Sequence, residues 1–171
     1  MKKQFLMMIL SAFCFLNCNP LYRQYKDLTL VNQQKKFSHI TKSQVKKILS
    51  KYNKKQSLFI ISWENNIFNK KKLVFNAIMY DNESKNIEYI YNNSEKQDEI
   101  IFSNQNPSNK FNSELFILDN YIRGKEDYLL SLHDSFSSSE IGSYFYLYDF
   151  TKNKRLKISA IAFDENDKLI Q

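Results

Sequence analysis

The sequence has little of several residue types on which common protein functions depend. Its 171 residues include only two glycines, two prolines, two cysteines and two histidines. Because Gly124 and Gly142 are the only glycines, no segment can form the glycine-rich loop that holds a phosphate in P-loop and dinucleotide-binding proteins. The composition therefore excludes these two classes of nucleotide-binding protein.

Thiols and imidazoles are equally scarce. Both cysteines, Cys14 and Cys18, lie near the N-terminus, so the chain beyond residue 18 has no thiol and no disulfide. The two histidines, His39 and His133, are far apart and cannot fill a zinc site without carboxylates from elsewhere. We therefore expect no metal site and no cofactor.

The N-terminus has the zones of an export signal. Lys2 and Lys3 form a basic start, and the apolar run over residues 5–16 ends just before Cys18. As a helix this run spans about 18 Å, at about 1.5 Å per residue, whereas the hydrocarbon core of a bilayer is about 30 Å thick. The pattern indicates a secretory signal that is too short to span a membrane.

This segment resembles the signal peptides of bacterial lipoproteins, in which a peptidase cuts before a cysteine whose sulfur receives a diacylglyceryl group. The residues in front of the candidate cysteine are Phe15, Leu16 and Asn17, a relaxed form of the family motif. The resemblance implies removal of residues 1–17, lipidation of Cys18 and a lipid-anchored location in the bacterial cell envelope, in either membrane. Lipidation at Cys14, plain secretion and an uncleaved apolar anchor are the alternatives.

The remaining chain is mildly basic. Without residues 1–17, which carry two lysines and no acid, 23 basic residues face 18 acidic ones, a formal charge of +5. This excess permits attraction to anionic headgroups or cell-wall polymers. For an exported protein we expect a membrane contact through the lipid and a protein or glycan partner, but no nucleic acid.

The pattern beyond the signal predicts a tether over residues 18–37 and a single domain over residues 38–171. Pro20 favours an extended start of the tether. Thr41 is the predicted N-cap of a first helix. Its buried stripe follows the i, i+3, i+4, i+7 spacing through Val45, Ile48, Leu49 and Tyr52.

Short alternating or β-branched runs predict strands. They cover residues 58–63, 73–80, 87–91, 100–102, 144–150, 156–163 and 168–171. A second helix is predicted over residues 113–123, with Ser113 as its cap and Gly124 just past its end. Residues 127–136 fit either type and favour a strand. Because short turns join neighbouring strands, we predict an α+β domain with two helices packed on an antiparallel, meander-like sheet of about six strands.

The candidate catalytic patterns are weak. His133 and Asp134 are neighbours and would point to opposite faces of a strand. The serines that follow lack the glycines of a nucleophile elbow, and residues 164–167 lack the glycine and distal glutamate of a calcium loop. Glu64 beside Trp63 is the most suggestive pair for sugar chemistry, although a lone tryptophan in a strand is commonly part of the core.

A row of aromatic residues is the clearest candidate for binding. Tyr144, Tyr146 and Tyr148 recur at every second residue and therefore face one side of a strand. The row forms either half-buried packing or an exposed binding strip. We predict a non-enzymatic binding module in the envelope. The alternatives are a lipid-anchored hydrolase that uses scattered carboxylates and an immunity-type lipoprotein that occludes a toxin.

Overall fold

A computed structural model describes most of the chain from residue 19 onward. The described residues are 19–29, 38–52, 57–64, 74–92, 99–107, 109–132, 144–158, 162–163 and 169–170. By its internal contacts the chain divides into two compact units, Met1–Lys55 and Gln56–Gln171. The predictions for Cys14, Cys18 and the segment 133–143 lie outside the described residues, and the division into a tether and a single domain stays a prediction.

The first unit contains helices α1, Pro20–Thr29, and α2, Ser38–Leu49. The predicted extended start of the tether is wrong, because Pro20 opens α1, where its missing N–H costs nothing. Asn19 caps this helix: its Oδ1 accepts a hydrogen bond from the backbone N–H of Tyr22 at 3.0 Å. Its Nδ2 donates to the carbonyl of Leu49 at 2.7 Å, which joins the start of α1 to the end of α2.

Helix α2 bears out its predicted stripe. Val45, Ile48 and Leu49 are fully buried, whereas Tyr52 is only partly buried and lies beyond the helix end. The predicted start at Thr41 is wrong, because the helix already begins at Ser38. Serine is well suited to a helix start, and neither of the two residues after it is a glycine or proline that would break the helix.

The second unit contains a six-stranded antiparallel sheet in the order β4-β3-β2-β1-β5-β6. Its strands are β1, Ser57–Glu64; β2, Val74–Asp81; β3, Ile87–Asn92; β4, Ile100–Ser103; β5, Phe145–Asp149; and β6, Lys154–Ile158. A separate pair is formed by β7, Ala162–Phe163, and β8, Leu169–Ile170. The predicted strand over 156–163 is thus divided between β6 and β7.

The connection from β4 to β5 returns from one edge of the sheet to the far side of β1. It carries a 3₁₀ turn, Asn109–Phe111, and helices α3, Asn112–Ile122, and α4, Glu126–Ser131. The helices bury Ile117 and Leu129 against one face of the sheet, in a core cluster that includes Leu147 of β5. The α+β fold, with two helices packed on a meander-like antiparallel sheet, is confirmed.

Two local predictions in this connection are wrong. Residues 126–131 form α4 rather than part of a strand; the helix buries Leu129 and leaves Leu130 exposed, so the alternation of apolar residues was misleading. Ser113 is not a cap, because α3 begins one residue earlier after the 3₁₀ turn. The predicted helix end is confirmed: Gly124 follows α3 with φ of +74°, a conformation that favours glycine.

Alternation along the strands separates two faces. The helix-covered face carries the large core cluster, which includes Leu58, Ile60 and Ile78. The other face carries Phe59, Ile61 and Tyr148, which are buried at the middle of the sheet. The exposed residues on this second face lie toward the start of β5 and the end of β6.

Candidate binding surface

The three predicted tyrosines lie on the face of the sheet opposite α3 and α4. Pairing with β1 sets Phe145 and Leu147 toward the helices and leaves the tyrosines on the other side. Their burial is graded along the strand. Tyr148 is 1% exposed, Tyr146 is partly buried and Tyr144, just before β5, is 40% exposed. The row therefore runs from the core to the surface.

Two cations of β6 lie over these rings. Tyr148 is paired with Arg155 and Tyr146 with Lys157, yet each cation leans toward the next tyrosine along the row. The guanidinium carbon of Arg155 is 4.8 Å from the ring centroid of Tyr146 and 5.8 Å from that of Tyr148. The Nζ of Lys157 is 3.6 Å from the ring centroid of Tyr144. We call these five residues the tyrosine–cation ladder.

The cations of the ladder differ in their partners from two other cations of this unit, Arg123 and Lys154. Arg123 pairs with Asp119 at 3.0 Å, and Lys154 of the same strand β6 pairs with Glu126. Among the described residues, no ion pair joins Arg155 or Lys157 to a carboxylate. The aromatic rings stabilise these two charges by cation–π attraction but do not neutralise them.

Trp63 of β1 borders the ladder on its other side. Its ring meets that of Tyr146 edge-on, with centroids 5.7 Å apart and an interplanar angle of 62°. Burial raises the pKa of Tyr146, and the nearby guanidinium of Arg155 opposes that rise. Tyr146 is thus a neutral ring held between an indole and a cation.

The helix-covered face holds a buried acid that the sequence analysis did not single out. Glu114, in the first turn of α3, is 1% exposed, and its Oε1 accepts a hydrogen bond from the hydroxyl of Ser62 at 2.7 Å. Its Oε2 is buried and has no hydrogen-bond partner in the part of the chain that the structure describes. Burial raises the pKa of Glu114 to about 7, although the bond from Ser62 lowers it.

A second buried carboxylate on this face organises a turn. Asp149 accepts hydrogen bonds at 2.9 Å from the backbone N–H groups of Thr151 and Lys152, which shape the hairpin between β5 and β6. Its other oxygen accepts one from the hydroxyl of Tyr121 at 2.8 Å. Burial raises the pKa of Tyr121, and the carboxylate of Asp149 raises this pKa further. The group therefore holds α3 against the hairpin.

These arrangements differ in the chemistry that they permit. Glu114 is enclosed, so a substrate cannot reach its carboxyl while α3 covers it, and Asp149 is saturated by its own turn. Of the ladder, Glu114 and Asp149, the ladder is the arrangement whose own tyrosine and cation are exposed, at Tyr144 and Lys157. Within the described ranges, no three His, Cys, Asp or Glu side chains come together as metal ligands. Across the same ranges, no helix has the length and apolarity that a membrane crossing requires.

The predicted site residues have different outcomes. The tyrosines share a face as predicted, and whether the row binds a partner stays a prediction. Arg155 and Lys157 were missed, although their alternation with Leu156 and Ile158 across a short turn was a usable signal. Trp63 lies beside the ladder, whereas the side chain of Glu64 is outside the described residues, as are His133 and the 164–167 segment.

Comparison of the chain with protein-family models, curated proteins and solved structures finds no match in any of the three. The function must therefore be argued from the geometry of this molecule and from the N-terminal segment.

Proposed function

We propose that this protein is a lipid-anchored binding module of the bacterial cell envelope and that the tyrosine–cation ladder is its binding surface. The observation that carries the proposal is the pair of cations, Arg155 and Lys157, that lie on tyrosine rings without an acidic partner among the described residues. Aromatic residues and arginine are enriched in the centres of binding surfaces, where they give contact area and charge at low cost in entropy.

The anchor is supported by the basic start, the apolar run and Cys18 at its end. A thioether-linked diacylglyceryl group supplies two chains, and two chains hold a protein stably on a bilayer where one does not. The module would then act on partners at the membrane surface.

Lipidation is tested by labelling cells with a palmitate analogue and measuring the mass of the membrane-associated protein. We expect Cys18→Ala to lose the label and the membrane association, and Cys14→Ala to keep both. If the Cys18→Ala variant still carries acyl chains, then Cys18 is not the anchor residue.

Binding by the ladder is tested with a photo-crosslinking amino acid placed at position 144. Position 128 is the matched control, because Tyr128 is a tyrosine of similar exposure, 36%, on α4. We expect illumination of cells to give adducts from position 144 and none from position 128. Equal adducts from both positions, or none from position 144, would refute the ladder as the binding surface.

A further inference from the structure

The chemistry of the ladder specifies the kind of partner. Its members comprise three tyrosines and two cations, and none of them is acidic. Lys154 lies on the same strand, β6, but its side chain is on the opposite face of the sheet, where it forms an ion pair with Glu126. Because Arg155 and Lys157 have no such partner among the described residues, their side of the hairpin carries positive charge that no described carboxylate offsets, and this charge attracts anions.

The cations are also held in place before any partner arrives. Arg155 lies over Tyr146 and close to Tyr148, so contact with these two rings restricts the position of its guanidinium. Lys157 covers one side of the Tyr144 ring and leaves the rest of this exposed residue accessible. The two side chains have therefore lost much of their conformational entropy on folding. A ligand that binds here pays less for ordering them.

The ladder presents its groups as a row. Every second residue of a strand lies about 7 Å farther along the same face, so the tyrosines and the cations between them repeat at that spacing. A small anion contacts one rung, whereas a polymer with repeated negative charges contacts several. The polarised C–H groups of a sugar ring also suit the negative face of an aromatic ring.

From this combination we infer that the ladder binds a carboxylated polysaccharide, whose acid groups pair with Arg155 and Lys157 and one of whose sugar rings packs on the accessible part of Tyr144. The inference rests on the proposed role of the ladder as the binding surface. A lipid bilayer fits less well, because insertion needs protruding apolar side chains, and Trp63 and Tyr146 are recessed. An acidic peptide supplies carboxylates but no stiff ring faces for stacking.

The chain offers an internal reporter for the test. Trp63 is the only tryptophan of the protein and contacts Tyr146. We would titrate the full chain, purified in detergent, with polygalacturonate and with alginate and follow the fluorescence of Trp63. Both polymers should change the emission, the uncharged polymer dextran should not, and added salt should weaken the binding.

Paired variants separate the ladder from general charge. Lys157→Gln and Lys154→Gln each remove one positive charge from β6, on opposite faces. We expect the first to weaken polygalacturonate binding about fivefold, as for loss of one partly exposed ion pair, and the second to leave it unchanged. Tyr144→Ser should weaken binding in the same way, and Tyr128→Ser should not.

Two results of the polysaccharide titrations would overturn the inference. One is that neither carboxylated polymer changes the fluorescence. The other is that Lys157→Gln and Lys154→Gln have equal effects. Binding to vesicles of phosphatidylglycerol or to polyglutamate in place of the polysaccharides would also refute the glycan, yet with crosslinks from position 144 it would leave the proposed binding function standing. Absence of those crosslinks refutes the function itself.

Discussion

On the sheet face that α3 and α4 cover, charged groups are enclosed and bonded within the protein: Asp149 holds its turn and Tyr121, and Glu114 accepts a hydrogen bond from Ser62. On the opposite face, Lys157 is exposed and Arg155 is half-buried, and each lies over a tyrosine ring. The same hairpin, β5 to β6, therefore stabilises the fold through one face and carries an exposed tyrosine and lysine near its other face.

The largest effect should follow from removing the carboxylate that organises the hairpin. Asp149→Ala deletes three hydrogen bonds and leaves the buried hydroxyl of Tyr121 without its acceptor. We expect the free energy of unfolding, measured by urea denaturation, to fall by about 4 kcal/mol. The control is Asp119→Ala, which breaks an exposed ion pair on α3 and should cost less than about 1 kcal/mol. Equal costs would contradict the stabilising role of the covered face.

Glu114 should make stability depend on pH. Because burial raises its folded pKa from 4.5 to about 7, the folded state binds more protons than the unfolded state between these values. Stability contributed in this way is present at low pH and is lost as the pH rises through about 7. Glu114→Gln should remove this dependence and add about 3 kcal/mol to the free energy of unfolding at about pH 8.

The measurement is urea denaturation of both forms between about pH 5 and 8. Glu99→Gln changes an exposed glutamate of the same unit and should reproduce the wild-type pH profile. Ser62→Ala removes the hydrogen bond that lowers the pKa, so the loss of stability should extend to higher pH. If Glu114→Gln has the pH profile of the unmodified protein, then the carboxyl does not titrate in this range.

Arg155 combines a stabilising role with a role in the ladder. Its side chain is partly buried, with Nε enclosed, and its guanidinium lies over Tyr146. Arg155→Ala should lower the free energy of unfolding by about 1 kcal/mol, from lost cation–π contact and lost packing of the methylene groups. Arg155→Lys retains the charge and should cost less. A cost as large as that of Asp149→Ala would make the ladder part of the stabilising framework rather than a contact surface.

The smallest effects on stability are expected at the exposed end of the ladder. Lys157→Gln and Tyr144→Ser remove side chains that reach the surface, so each should change the free energy of unfolding by less than about 1 kcal/mol. Thermal denaturation of these variants checks this directly. Loss of ligand binding without loss of stability would sharpen the contrast between the two faces.

The sheet could be predicted from the sequence because its signals are local. Period-2 alternation identified β5, and the polar residues 81–85 marked the turn that follows β2, where Lys85 has a φ of +60°. Helix α4 was missed because Leu130, Leu132 and Phe136 lie at even spacing, as in a strand. The burial of Leu129 beside an exposed Leu130 distinguishes the helix.

The site depends on contacts that one segment cannot reveal. Glu114 looks like an ordinary acid at a helix start, and its partner Ser62 is 52 residues away. Burial by α3 makes it unusual, and burial follows from the return of the chain across the sheet. The cations of the ladder were within reach of prediction, because a short turn between β5 and β6 fixes which residues face the tyrosines.

If the protein is anchored through Cys18, as proposed above, the position of Asn19 next to that residue has a mechanical consequence. Adjacent Cα atoms are about 3.8 Å apart, so the lipid-bearing residue would be one peptide link from a residue that caps α1 and holds the end of α2. Such an attachment has no slack. Force applied through the acyl chains would act on the hydrogen bonds of Asn19. The pair of helices α1 and α2 would then move together with the bilayer, without a flexible linker between them.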